Sequence, residues 1–303
     1  MYNILVFLAV PVLVYFAMAV SLIASQWPSD DSAPNAPSLD FSSAMTRNLS
    51  EAPTSEQIAM RDGSKLDVRL YGAPDDGPLV IMLHGSGWNG LQFHNLASGL
   101  QGVAYVASVD LRGHGASPER RGDVDYIGQL EDDIADVIGA LSVGRKTIVL
   151  GHSSGGGLAV RLAGGAHRGL IDHMVLLAPF LGHNAPTTRS NSGGWAKPLT
   201  RRIIGLAMLN AARITALNSL TVIQFNMPRA VLEGPYGARV TPSYSFRLNT
   251  SYAPRREYAQ DIRQLPVFDL VVGAIDEAFV ASEYERMMSA LTPNGRYHMV
   301  PQV

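Results

Sequence analysis

The sequence contains no cysteine, which excludes disulfides, thiolate nucleophiles and cysteine-ligated metals. Charge is also scarce. Charged residues make up 17% of the 303 positions and the net charge is −2, so nothing electrostatic recruits nucleic acid or an anionic membrane surface. No cluster of His, Asp and Glu has metal-ligand spacing, and no other cofactor is indicated. No internal repeat is present. Hydrophobic residues, at 47%, are plentiful enough for one large α/β domain.

No charged side chain precedes Asp30, and the first basic residue is Arg47. Within that stretch Ile4 to Ala24 is a long, mainly apolar run without a charge, and Pro11 is a potential kink. At about 1.5 Å per residue it reaches about 30 Å, and Tyr2 and Trp27 stand near its ends as interfacial aromatics would. Residues 1–24 therefore read as a single-pass membrane anchor, with a cleaved signal peptide as the competing reading. A helix apolar on every face fits a soluble core less well. The missing positive charge after the segment favours a catalytic domain on the non-cytoplasmic side.

Residues 25–55 are rich in Ser, Pro, Ala and Asn and read as a flexible linker. A globular pattern occupies residues 56–303. Gln57 to Arg61 and Lys65 to Tyr71 predict two strands about the turn Asp62-Gly63. Leu79–Leu83 is a fully apolar run of strand length, and Ala104–Val109, Thr147–Leu150, Met174–Leu177 and Val267–Val272 resemble it. Between them Tyr126–Leu141 repeats apolar residues at helical spacing. This alternation predicts a mostly parallel sheet with helices on both faces. About residues 181–260 the rhythm breaks into a polar stretch with a helical segment near Arg201–Ala216, predicting a cap insertion over the sheet's C-terminal edge.

The chemistry centres on Gly151-His152-Ser153-Ser154-Gly155, placed between the strand Thr147–Leu150 and a helical run from Leu158. In a strand, G-x-S-x-G, helix arrangement the serine stands on a sharp turn with Oγ exposed, and the glycines avoid neighbouring backbone. The helix N-terminus favours the oxyanion of acyl transfer. Three further loops follow buried strands: His84-Gly85-Ser86-Gly87, the stretch Asp110 to Ser117, and Gly273-Ala274-Ile275-Asp276.

Together these motifs resemble the α/β-hydrolase superfamily, within its serine aminopeptidase-like and monoacylglycerol lipase-like branch. The resemblance covers residue 56 to the end, apart from the insertion. It implies Ser153 as nucleophile, Asp276 as triad acid, and the main-chain N–H groups of Ser86 and Ser154 as oxyanion hole. The insertion would be the cap that shapes the substrate site. The substrate class is a carboxylic ester or, second, a peptide N-terminal residue.

The family's histidine lies in a loop after the last strand. Here that strand is Arg296–Val300, so His298 falls inside it and is only a weak candidate base; the reading expects the chain to stop short of the histidine. Without a base, Ser153 is poorly activated, and a membrane-tethered, non-catalytic binding protein is the alternative. A further rival is a dinucleotide fingerprint in Gly85, Gly87 and Gly90, with Asp110 about twenty residues on.

Overall fold

A computed structural model describes residues 2–29, 39, 49, 51–189, 194–234 and 237–302, with side chains from residue 9 onward. The linker region 25–55 lies largely outside the described residues.

The hydrophobic runs form an eight-stranded sheet in the order β1-β2-β4-β3-β5-β6-β10-β11. Strands β1 (Glu56–Ala59) and β2 (Lys65–Tyr71) are antiparallel to each other, and β2 is antiparallel to β4. The remaining neighbours, β3 (Leu79–Leu83), β4 (Tyr105–Val109), β5 (Thr147–His152), β6 (His173–Leu177), β10 (Phe268–Gly273) and β11 (Gly295–Val300), pair in parallel. Every residue of β3 and β4 is buried, which explains why these strands do not alternate; the one small polar residue, Ser108, donates its hydroxyl to the Gly90 carbonyl at 2.6 Å.

Helix α1 covers Tyr2–Ala24, α2 His94–Gly99, α3 Gln129–Leu141 and α4 Ser154–Ala163. In α3, Leu130, Ile134, Val137 and Ile138 bury one face, and Glu131 and Asp132 place negative charge in the first turn where the dipole favours it. The helix begins at Gln129 rather than Tyr126 because Gly128, at φ +103, breaks the helical conformation. Towards the C-terminus lie α8 (Tyr258–Arg263) and α9 (Ala281–Met288).

The insertion carries its own three-stranded antiparallel sheet, β7 (Ala196–Pro198), β8 (Thr221–Phe225) and β9 (Ser243–Ser245). Its helices are α5 (Thr200–Ala211), α6 (Arg229–Leu232) and α7 (Phe246–Tyr252). Phe225, Tyr244, Leu248 and Tyr252 join the same core cluster as the main sheet, so the insertion is packed onto the domain.

The N-terminal segment requires a correction. Among the described residues no helix is long and apolar enough to cross a membrane, which overturns the single-pass, non-cytoplasmic placement. The segment has a protein partner instead. Ala19 and Ile23 are buried in one cluster with Leu206 and Leu209 of α5 and Val222 and Phe246 of the insertion. The helices meet closely at Gly205, where a Cβ would come within 2.5 Å of the Ala19 carbonyl oxygen. Tyr15 donates to the Met208 carbonyl at 2.8 Å. One face of the apolar run is therefore used in helix packing, a purpose that apolarity alone cannot separate from membrane burial.

Candidate active site

Strand β5 ends at His152 and α4 begins at Ser154, so Ser153 is the whole turn between them. Its φ of 52° and ψ of −119° are strained for a non-glycine residue. Main-chain ties over-determine that geometry. Ser153 N–H donates to Leu177 O at 2.9 Å, and its carbonyl accepts from Gly157 at 3.0 Å and Phe180 at 2.9 Å. The turn is possible only because Gly155 has no side chain: a Cβ there would overlap the carbonyl oxygens of Leu83 and His84.

The loop after β3 lies against this turn. A Cβ on Gly85 would stand 3.1 Å from His152 Nδ1 and 3.4 Å from Ser153 Cβ. Gly85 N–H donates to Gln92 Oε1 at 3.0 Å, and the Gln92 amide bonds His152 Nδ1 at 2.6 Å. The hydroxyls of Ser86 and Ser154 meet at 2.6 Å. Neither main-chain N–H of these two serines donates a hydrogen bond among the described residues.

Asp276 sits just beyond β10. One carboxylate oxygen accepts N–H groups from Ala278 at 2.8 Å and Phe279 at 2.7 Å, which fixes the side chain. Arg189 Nε bonds its carbonyl at 2.9 Å. Ser86, Ser153, Ser154 and Asp276 all line one cavity of about 1480 Å³ between the sheet's C-terminal edge and the insertion.

His298 is not brought to this cavity. It lies on β11 with its side chain 52% exposed, and its Nε2 is 2.8 Å from Asp269 Oδ1. Against the burial that would raise it, hydrogen bonds from Arg296, His298 and His173 hold the Asp269 carboxyl well below the usual range. The weak candidacy of His298 as base is corrected accordingly: a strand residue projects from the sheet face and has its own carboxylate. His84, His94, His114, His167, His173 and His298 are each bonded to groups other than Ser153 and Asp276. His152 and His183 line the cavity; only the former was singled out by its motif.

His84 and His114 are buried, with ring centroids 4.8 Å apart. Burial pushes His84 down to about 4, and burial plus the neighbouring His84 pushes His114 well below its ordinary value. Both fold as neutral rings, whereas unfolded imidazoles titrate near about 6.5. Their contribution to stability is therefore complete above about pH 6.5 and is lost as pH falls towards 4. Urea unfolding at stepped pH should show a midpoint that drops between about pH 6.5 and 5, with a slope approaching two protons. A flat midpoint over that interval would contradict neutral burial.

The dinucleotide reading is also corrected. Gly90 N–H is taken by Asp110 Oδ1 at 2.7 Å, and Gly87 N–H by the Tyr244 hydroxyl at 2.6 Å. Asp110 is buried against Arg69 at 3.1 Å rather than held out towards a ribose. A phosphate cradle needs those N–H groups free.

The sheet order and the strained strand-to-helix turn define the α/β-hydrolase architecture. The chain belongs to the Alpha/beta hydrolase family, whose model matches residues 80–303. It is 31% identical over 136 residues to a monoacylglycerol lipase of Mycolicibacterium smegmatis, covering 37% of this chain and 48% of that protein. It is likewise 31% identical over 127 residues to an uncharacterised protein of Mycobacterium tuberculosis, covering 42% of this chain and 36% of the relative. The chain thus matches well under two thirds of the length of these curated relatives. Among solved structures, a soluble variant of the Saccharomyces cerevisiae monoglyceride lipase superposes with a TM-score of 0.63 at 16% identity, over 85% of this chain and 89% of that one. The Paleococcus ferrophilus monoacylglycerol lipase gives 0.57 at 19%, over 78% and 89%. At such identities these structures speak to the fold. The family is one of α/β hydrolases, and the relatives named above that carry an assigned activity are lipases.

Proposed function

We propose that this chain is a serine hydrolase that cleaves carboxylic esters with apolar acyl groups through an acyl-enzyme on Ser153. The observation that carries the reading is the strained Ser153 turn, flanked by two unpartnered N–H groups and opening into an apolar cavity that also holds Asp276. Ser153 Oγ attacks the ester carbonyl and its proton passes to a base in the cavity, whose histidine and carboxylate lining is His152, His183, Asp276 and Glu277. His298, engaged by Asp269, is not among them. The tetrahedral oxyanion accepts hydrogen bonds from the N–H groups of Ser86 and Ser154, at the positive end of α4. Collapse expels the alcohol, which takes the proton back from that base. Water then repeats the attack and releases the acid.

The cavity wall includes Leu91, Leu96, Ile203, Ile204, Phe225 and Phe246, which suits an acyl chain. It also carries Arg161, Arg189, Arg255 and Arg256 beside Asp276 and Glu277, so a substrate ammonium group gains no net attraction, and the ester is favoured over a peptide N-terminus. Burial is worth about 0.8 kcal/mol per CH₂, about fourfold. Across p-nitrophenyl esters from acetate to octanoate, kcat/KM should therefore rise by at least about tenfold. Faster release of nitroaniline from aminoacyl anilides would reject the ester assignment.

A further inference from the structure

The insertion does more than wall the cavity. Strand β9 sends Tyr244 down to the loop after β3, where it is buried between Phe225, Tyr252 and His114. Its hydroxyl meets two groups: Gly87 N–H at 2.6 Å and His114 Nε2 at 2.8 Å. Gly87 is gripped from the same side a second time, because its carbonyl accepts from Thr241 N–H at 2.9 Å. At φ +76 Gly87 holds a conformation that favours glycine, and a Cβ there would stand 2.6 Å from Met227 Cε. Every one of Thr241, Tyr244 and Met227 belongs to the insertion.

Donor and acceptor chemistry gives these bonds a direction. His114 Nδ1 faces the Arg112 carbonyl at 3.1 Å, so it carries the proton and Nε2 presents a lone pair. Tyr244 O–H must then donate to Nε2, and its oxygen accepts from Gly87 N–H. The Ser86 hydroxyl is bonded to that of Ser154 at 2.6 Å.

We infer that Tyr244 is a positioning residue for the oxyanion hole: its hydroxyl locks the Ser86-Gly87 loop in the conformation that presents Ser86 N–H beside Ser153. The inference rests on the reading of Ser153 as nucleophile and of the Ser86 and Ser154 N–H groups as oxyanion donors. It makes the insertion part of the catalytic apparatus as well as of the substrate wall.

The test is Tyr244→Phe, which keeps the ring packing and removes the hydroxyl. Loss of a whole oxyanion donor costs about 10²- to 10³-fold, so a loosened one should cost at least about tenfold in kcat and in the rate of fluorophosphonate labelling. KM should stay within about twofold, because ground-state binding does not use the bond. Tyr71→Phe is the comparison. It removes an equally buried hydroxyl, bonded to His94 Nδ1 at 3.2 Å, and should lower the unfolding midpoint without lowering kcat. If Tyr244→Phe labels at the wild-type rate, or loses activity through KM alone, the inference is overturned. Should that variant not fold, amide hydrogen exchange of the wild-type chain decides. Protection of the Gly87 N–H to the level of the central strands supports the inference, and exchange at the rate of an open loop overturns it. Absence of labelling at Ser153 in the wild-type chain would bring down the underlying reading together with the inference. A labelled wild type with an unaffected Tyr244→Phe brings down the inference alone.

Discussion

Ser153→Ala is expected to abolish covalent labelling of the chain by a serine-directed fluorophosphonate, a loss of at least about 10³-fold. The fold should survive, because Ser153 Oγ makes no hydrogen bond among the described residues and the strained turn is held by main-chain groups instead. Alanine must adopt the same φ of 52°, at a backbone cost serine already bears. The unfolding midpoint should therefore move by no more than about 2 °C. Peptide mapping distinguishes the three serines at this site. Ser86 and Ser154 have their hydroxyls committed to each other, so label found on either in the variant would displace Ser153 from the nucleophile's role. His298→Ala is the companion measurement. Since His298 serves Asp269 on the sheet face, its loss should leave the labelling rate within about twofold. A wild-type chain that binds ester analogues without ever being labelled would favour the non-catalytic reading.

What the sequence disclosed was what local chemistry determines. The turn at Ser153 was legible because a strand, two glycines and a helix stand in immediate succession, and each position has a steric reason. The central strands were legible because burial on both faces leaves no polar alternation. Contacts made across long separations were not. The insertion's strands β7 and β9 are only three residues each, and β7 includes Pro198, so no periodicity marks them. Tyr244 belongs to no motif, yet its hydroxyl reaches a loop 157 positions earlier in the chain. The same limit misled the reading of α1. Apolarity on every face is equally compatible with lipid and with a protein groove, and the partner, α5, lies far along the chain. His298 was placeable on a strand from its neighbours, but its carboxylate partner, Asp269, came from the adjacent strand.

Two glycine-to-alanine substitutions should separate the sites where the fold tolerates a methyl group from the one where it does not. Gly139 lies within α3, is exposed, and a Cβ there meets no heavy atom within 4 Å. Gly139→Ala removes the entropic penalty of a mid-helix glycine and should stabilise the chain by about 0.5–1 kcal/mol. Gly155→Ala has the opposite environment. Its Cβ would be driven into the carbonyl oxygens of Leu83 and His84, at the end of the central strand β3. Those atoms cannot retreat, because β3 is paired on both sides, to β4 and to β5. Relief would require α4 to lift from the sheet, which breaks the contact between Gly85 and Ser153 and drags the turn out of its strained geometry. Overpacking a core typically costs about 1–3 kcal/mol and more where, as here, the overlapped atoms are backbone that cannot move, a large part of a domain's net stability. Urea unfolding of the two variants beside the wild type should show Gly139→Ala shifted to higher denaturant and Gly155→Ala mostly unfolded or melting far below it. A Gly155→Ala chain of wild-type stability would mean that β3 and α4 do not meet at that distance, and the placement of Ser153 against the loop after β3 would fall with it.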